Sequence, residues 1–362
     1  MTPDWQEELD SRRERVRALV AGAGCDLGVV YGSDRWGQSF RYLTNFEPVL
    51  GDMWLLLGDS IRCFLTFQWQ IIEAQGLSGI DEWHGRFDPV PLVVEAVRES
   101  GARRVAVVGL RRMPVPAWRA LESLGLELVD LDAPFGELRR RKSAFEIQLL
   151  RDAARLTDRM LDAAREALEP GAIETEIAAA LATVPLAVGG DCSFEPTVIS
   201  GVDDPIPVRR SIQREIEPGD TVMVDVGAAL QGYQGDATRT YVVGTPSQTQ
   251  LARWDVVRRA YDAALALARP GVPCLELHQA AAAIIEDAGY EVAHRIGHGI
   301  GLATSYEWPS LDTETAPLEP GMTICIEPGV FAPGSGNMKL EDDLVITEDG
   351  YELLTVSDRS LC

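Results

Sequence analysis

Four carboxylates and one imidazole in the second half of this 362-residue chain have surroundings that solubility alone does not explain. In Val222-Met-Val-Asp225-Val-Gly a carboxylate interrupts a hydrophobic run. Burying it unpaired is costly, so it calls for a cation or strong hydrogen bonds. Asp236 follows eleven positions later, beyond Gly227-Ala-Ala-Leu-Gln-Gly232, a hairpin turn that would set two aspartates side by side on antiparallel strands. They would repel each other unless bridging metal ions reverse the sign. Glu327 ends the apolar stretch Thr323-Ile-Cys-Ile-Glu327, and Glu341 lies in Met338-Lys-Leu-Glu341-Asp-Asp beside strand-like residues. His298 stands between glycines in Ile296-Gly-His298-Gly-Ile-Gly, where backbone can approach closely and leave the ring accessible. Taken singly, each has a plainer reading, as a turn aspartate or a core histidine. Taken together they form a hard, oxygen-rich set suited to manganese, iron, cobalt or zinc, with the oxygens favouring manganese or iron. Two ions about 3.5–4 Å apart could share a hydroxide and polarise a carbonyl.

The segments carrying these residues resemble the creatinase/prolidase family of pita-bread metallopeptidases, in its prolidase-like branch. They are Gly219-Asp-Thr-Val-Met-Val-Asp225, Gly232-Tyr-Gln-Gly-Asp236-Ala-Thr-Arg-Thr, His294-Arg-Ile-Gly-His298-Gly-Ile-Gly, Glu319-Pro-Gly-Met-Thr-Ile-Cys-Ile-Glu327-Pro-Gly and Lys339-Leu-Glu341-Asp. The likeness runs from about residue 138 to 354. Arg41-Tyr-Leu-Thr-Asn-Phe46 and Lys142-Ser-Ala-Phe-Glu-Ile147 resemble that branch's N-terminal domain and junction. The resemblance implies that Asp225, Asp236, His298, Glu327 and Glu341 bind two divalent ions, with Asp236 and Glu341 bridging. It implies that Glu327 also carries the proton of the attacking water, as a general base. It further implies a homodimer in which the N-terminal domain helps shape a neighbouring active site.

The pattern breaks in three places. Val208 and Ser305 occupy positions where proline-cleaving relatives carry histidines, and Lys339 stands where an arginine is usual. Either Tyr306, Arg209 or Trp308 takes over the missing contacts, or the substrate differs from a standard Xaa-Pro peptide. His294, Ser305, Tyr306, Arg209, Trp308 and Lys339 are therefore the candidate substrate-binding residues. The expected activity is metal-dependent hydrolysis of an amide or peptide C–N bond, Xaa-Pro peptidase-like with an altered pocket. The alternatives are a non-peptide hydrolase, such as ectoine hydrolase, or a metal-dependent lyase on the same fold. A non-catalytic binding protein fits less well, because all five ligands are kept.

Two domains must position these groups. Residues 1–134 alternate helix and strand, with a hairpin of 54–57 and 61–67 around Gly58-Asp-Ser60, as in a mixed α/β domain. A long amphipathic helix is predicted over 137–167, opening on the basic run Arg139-Arg-Arg-Lys142, which reads as a solvated face or interdomain contact. Residues 135–362 would form the pita-bread domain, with helices followed by strands twice over. Strands are predicted at 197–200, 221–227, 233–243, 292–295, 323–326 and 340–347, which suggests an internal duplication around one site.

Composition narrows the partners. Lys and Arg number 33 against 56 Asp and Glu, a net charge of −23 that disfavours nucleic acid and anionic membranes. No run reaches the roughly 18 apolar residues of a membrane helix, and the acidic start has no signal-peptide pattern. Six scattered cysteines, with no Cys-x-x-Cys pair, read as reduced thiols, Cys325 among them as buried core. The expectation is a cytoplasmic enzyme acting on a peptide or other small molecule.

Overall fold

The computed structural model describes residues 2–203, 205–303 and 307–361. The chain divides into two compact units, Met1–Arg139 and Arg140–Cys362. In the first, six strands form one mixed sheet in the order Glu82–Gly85, Ile61–Leu65, Asp52–Leu57, Leu27–Ser33, Arg104–Val108 and Glu127–Asp130. The central hairpin turns at Gly58-Asp-Ser60. Parallel pairing of the last two strands needs a crossover, which the helix Val115–Glu122 supplies. Val29, Tyr31, Trp54, Phe64, Val93, Val107 and Leu121 are buried together in its core.

The second unit is built twice. Helices Ala144–Ala167 and Glu174–Leu186 precede an antiparallel sheet of Thr197–Ser200, Thr221–Val226 and Ala237–Val242, with Thr221–Val226 in the middle. Helices Gln248–Leu265 and Cys274–Asp287 precede a five-stranded sheet. Its order is Glu307–Ser310, His298–Gly299, Thr323–Ile326, Asp342–Ile346 and Tyr351–Leu353. Each half has its own core: Met160, Ile177, Leu181, Val198 and Val224 in one, Val257, Tyr261, Leu277, Ile285, Ile324 and Leu344 in the other. The first helix of each half opens on a capping box, Ser143 with Glu146 and Ser247 with Gln250. The duplication thus extends to how the helices begin.

Three elements differ from expectation. The helix predicted over 137–167 is two helices, Asp132–Arg140 and Ala144–Ala167, because Ser143 caps the second and the intervening backbone bridges Arg141 to Met322. The basic run at this break is solvated only in part: Arg141 is exposed, but Arg140 is buried against Glu314 and Lys142 against Glu307. The strand predicted over 233–243 is interrupted at Gly235-Asp236, between Tyr233–Gln234 and Ala237–Val242. The strand predicted at 292–295 is absent, and pairing starts at His298. Just before it, Gly297 passes so close to the Cys325 carbonyl that a Cβ would lie 2.2 Å from its oxygen.

Candidate metal centre

The centre lies where the two sheets of the second unit meet. Asp225 pairs with Thr238 across the antiparallel strands, which puts Asp236 two residues beyond the partner position and on the same face. The Asp236 N–H donates to Asp343 Oδ2 at 2.8 Å, and the Glu341 N–H to the Thr238 carbonyl at 3.1 Å. Backbone and side-chain bonds at the acidic residues themselves therefore join the two halves. Glu327 emerges from Thr323–Ile326 with its N–H on the Ile296 carbonyl at 2.7 Å, and this bond places it beside the His298 loop.

Ligand atoms gather in two overlapping groups, each within 4.8 Å: His298, Cys325, Glu327 and Glu341 in one, Asp225, Asp236 and Glu341 in the other. His298 Nε2 lies 3.5 Å from Glu327 Oε1 and 3.8 Å from Asp236 Oδ2. Its Nδ1 is 2.9 Å from the Gly299 carbonyl, which requires the proton on Nδ1 and leaves the Nε2 lone pair facing the carboxylates. Asp225 Oδ1 and Glu341 Oε1 are buried with no hydrogen-bond partner. Buried carboxylate oxygens without partners are costly, and divalent ions would satisfy them. The donor set, one imidazole nitrogen and carboxylate oxygens, suits such ions.

Lys339 Nζ sits among the same groups, 2.7 Å from Glu327 Oε2, 2.9 Å from Glu341 Oε2 and 3.2 Å from Asp225 Oδ2. Burial alone would raise the Glu327 carboxyl, yet Lys339, His298 and His294 together hold it down at about 2. Burial lifts Glu341 to about 7 against the pull of Lys339, and lifts Asp236 well above the usual range with help from Glu341 and Asp225. Burial keeps both His294 and His298 below their ordinary value, so both are neutral near pH 7. Cys325 is fully buried as expected, but its sulfur borders the cluster. Burial and the neighbouring carboxylates push its thiol well up, so it stays protonated.

Residues 148–348 match the model of metallopeptidase family M24, more than half of the chain. The chain belongs to this family. An uncharacterized peptidase of Bacillus subtilis, YqhT, is 31% identical over 96% of this chain and 98% of its own length. The Xaa-Pro dipeptidase of Pyrococcus horikoshii is 28% identical over 88% of this chain and 91% of its own. Among solved structures, the Pyrococcus horikoshii prolidase covers 98% of this chain and 100% of its own at TM-score 0.87 and 27% identity. An Xaa-Pro dipeptidase from Bacillus anthracis matches at TM-score 0.88 and 27% identity, over 98% of this chain and 99% of its own. This M24 protein is a metal-dependent peptidase with the prolidase fold over nearly the whole chain. The similarity favours a peptidase over the ectoine hydrolase-like or lyase alternatives.

The candidate substrate residues of this peptidase scatter. His294 is beside the centre, its Nε2 3.8 Å from Glu327 Oε2, with neither ring nitrogen hydrogen-bonded and its edge against Phe331. Lys339 lies inside the cluster. Arg209 is instead held by Glu174 at 2.7 and 2.8 Å, a carboxylate that also anchors Ser200 and the Ile212 N–H. Trp308 donates to Glu314 at 2.7 Å. Ser305 and Tyr306 lie outside the described residues. Sequence reasoning missed Thr238, whose hydroxyl donates to Glu341 Oε2 at 2.7 Å, and Thr240, whose hydroxyl bonds the Lys339 backbone. The signal was there: Thr238 and Thr240 alternate along one strand face, and Asp236 stands two residues before Thr238. Arg295, with Nε 4.0 Å from Glu327 Oε1, was also missed, and no sequence pattern marked it.

Proposed function

We propose that this peptidase is an Xaa-Pro dipeptidase whose centre takes two divalent ions, manganese by preference, on Asp225, Asp236, His298, Glu327 and Glu341. The observation that carries the reading is the meeting of one Nδ1-protonated imidazole with three buried carboxylates and the partly buried Asp225, two of the four with unpartnered oxygens. Relatives named Xaa-Pro dipeptidase support the substrate class. Ions held there would polarise the scissile carbonyl and make the attacking water more acidic. Glu327 is the base for that water, since its neighbours keep it ionised, and it can return the proton to the departing amine. His294, neutral and without a partner on the Glu327 side, is placed to hydrogen-bond the substrate.

A homodimer is part of this reading, supported by Trp69, Ile72 and Phe87 of the N-terminal unit, each more than 60% exposed. A cytoplasmic setting is supported by the free thiols of Cys25, Cys63, Cys192, Cys274 and Cys325. Among the described residues no helix is long and apolar enough to cross a membrane.

The test is manganese-supplemented hydrolysis of Xaa-Pro dipeptides, longer Xaa-Pro peptides, ectoine and dimethylsulfoniopropionate. Free proline should appear from the dipeptides, and Glu327→Ala should cut kcat by roughly 10²–10⁴-fold without unfolding the chain. Turnover of the non-peptides alone, or an active metal-free Asp225→Ala protein, would overturn the reading.

A further inference from the structure

We propose that His278 is a positioning residue for Glu327, acting through the backbone of Ile296. The inference rests on the reading of Glu327 as the base for the attacking water. Ile296 is fully buried, and it lies outside any strand, so no ladder partner is set to receive its N–H. A buried backbone donor needs an acceptor, and here it is a side chain. The Ile296 N–H donates to His278 Nδ1 at 3.3 Å. The carbonyl of the same residue accepts the Glu327 N–H at 2.7 Å. His278 belongs to the helix Cys274–Asp287, whose Leu277, Ala281 and Ile285 are buried in one core with Ile296. The acceptor thus stands on a rigid element already packed against the residue it holds. The next carbonyl, that of Gly297, takes the Leu311 N–H at 3.1 Å, so the Ile296 amide is where the helix enters this network.

To accept this bond His278 must carry its proton on Nε2, the opposite tautomer from His298. Burial holds its imidazole below the ordinary value against the pull of Asp312 and Glu286, which keeps the Nδ1 lone pair available near pH 7. Without that acceptor the Ile296 N–H is left buried and unpaired, a costly state. The segment then shifts to find another partner, and its carbonyl carries the Glu327 N–H with it. A displacement of about 1 Å in a reacting group costs up to roughly 10²-fold in rate. The loss falls on kcat, because a base acts in the transition state and adds nothing to ground-state binding.

The experiment compares wild type, His278→Asn and His278→Leu in the hydrolysis of an Xaa-Pro dipeptide at saturating manganese. The Asn Oδ1 takes the place of Nδ1 as acceptor, whereas Leu fills the space and accepts nothing. The Asn variant should keep kcat within about threefold of wild type, and the Leu variant should lose roughly tenfold or more. KM should stay within about twofold in both. The second readout is the imidazole tautomer of His278 in the wild type, from long-range proton–nitrogen NMR spectra, its signal assigned by loss in the Asn variant. The Nε2–H form is expected. A Leu variant with wild-type kcat overturns the proposal, as does a Leu variant faster than Asn, the order that packing alone would give. An Nδ1–H tautomer overturns it even if neither variant folds. A wild type that hydrolyses no dipeptide, or a Glu327→Ala protein with wild-type kcat, overturns the functional reading instead, a separate failure.

Discussion

The Arg239 guanidinium meets the Asp342 carboxylate at 2.6 Å with both side chains essentially inaccessible, at 1% and 0% exposure. Arg239 lies one residue after Thr238 and Asp342 one residue after Glu341, so the pair locks together the two strands that present acidic ligands. The same guanidinium donates to the Glu341, Ser357 and Asp358 carbonyls. Without Arg239 the Asp342 carboxylate keeps Arg359 at 2.8 Å and the Tyr261 and Thr355 hydroxyls, so the loss is that of buried hydrogen bonds, about 1–3 kcal/mol. Arg239→Ala should lower stability to denaturant by that order, and a midpoint unchanged from wild type would show the pair to be dispensable.

Thr238 acts on the centre through Glu341. Its hydroxyl orients the carboxylate that belongs to both ligand groups, and loss of such an outer contact weakens metal binding by about 10–100-fold. Thr238→Val keeps the shape and the strand propensity while deleting the donor. Calorimetric titration with manganese should show the weaker binding, with little change in melting temperature.

The charge balance of the centre gives metal-stripped protein an unusual pH response. Glu341 rises from its ordinary 4.5 to about 7, and Asp236 and Asp343 rise well above theirs, all chiefly through burial. Between the ordinary and the raised values the folded chain binds more protons than the unfolded one, so stability falls as pH rises. His278, His294 and His298 are depressed below 6.5 and act oppositely, but chiefly below 6.5, where the unfolded histidines take up protons. From about pH 6.5 to 8 the unfolded histidines lose only their remaining protons, and the carboxylates set the sign. The chelated protein should melt lower at pH 8 than at pH 6.5, and added manganese should restore more stability at pH 8. A rising melting temperature over that window would contradict these assignments.

Arg209 separates a substrate role from a structural one. Its partner Glu174 is fully buried and retains bonds from Ser200 and Ile212 after truncation. Arg209→Ala should therefore cost about 1–3 kcal/mol of stability and leave KM for an Xaa-Pro dipeptide within about twofold. A large KM increase with unchanged melting would return Arg209 to the substrate pocket.

What could be read from the chain was the placement of acidic groups against apolar strand patterns. Asp225 and Glu327 stood out because they interrupt hydrophobic runs, and the repeated order of helices and strands revealed the two halves. The strand break at Asp236 was hidden because residues 233–243 keep a β-like composition through it. Arg140 and Lys142 misled for a related reason: a run of basic residues looks solvated until Glu314 and Glu307, more than 160 positions away, neutralise it. The destination of Arg209 was equally invisible, since Glu174 lies 35 residues upstream and carries no motif. Distant pairings of this kind are set by tertiary packing, and local propensity is blind to them.

The bonds from the Asp236 N–H to Asp343 and from the Glu341 N–H to Thr238 make the seam between the halves the ruler of the centre. Any shear of one sheet against the other changes the spacing of the carboxylates, since one of the two bonds is backbone to backbone and the other ends on the fully buried Asp343 side chain. A centre that must hold its groups to about 0.5 Å thus takes its tolerance from the seam. Substitutions deep in either core can detune it without touching an acidic residue.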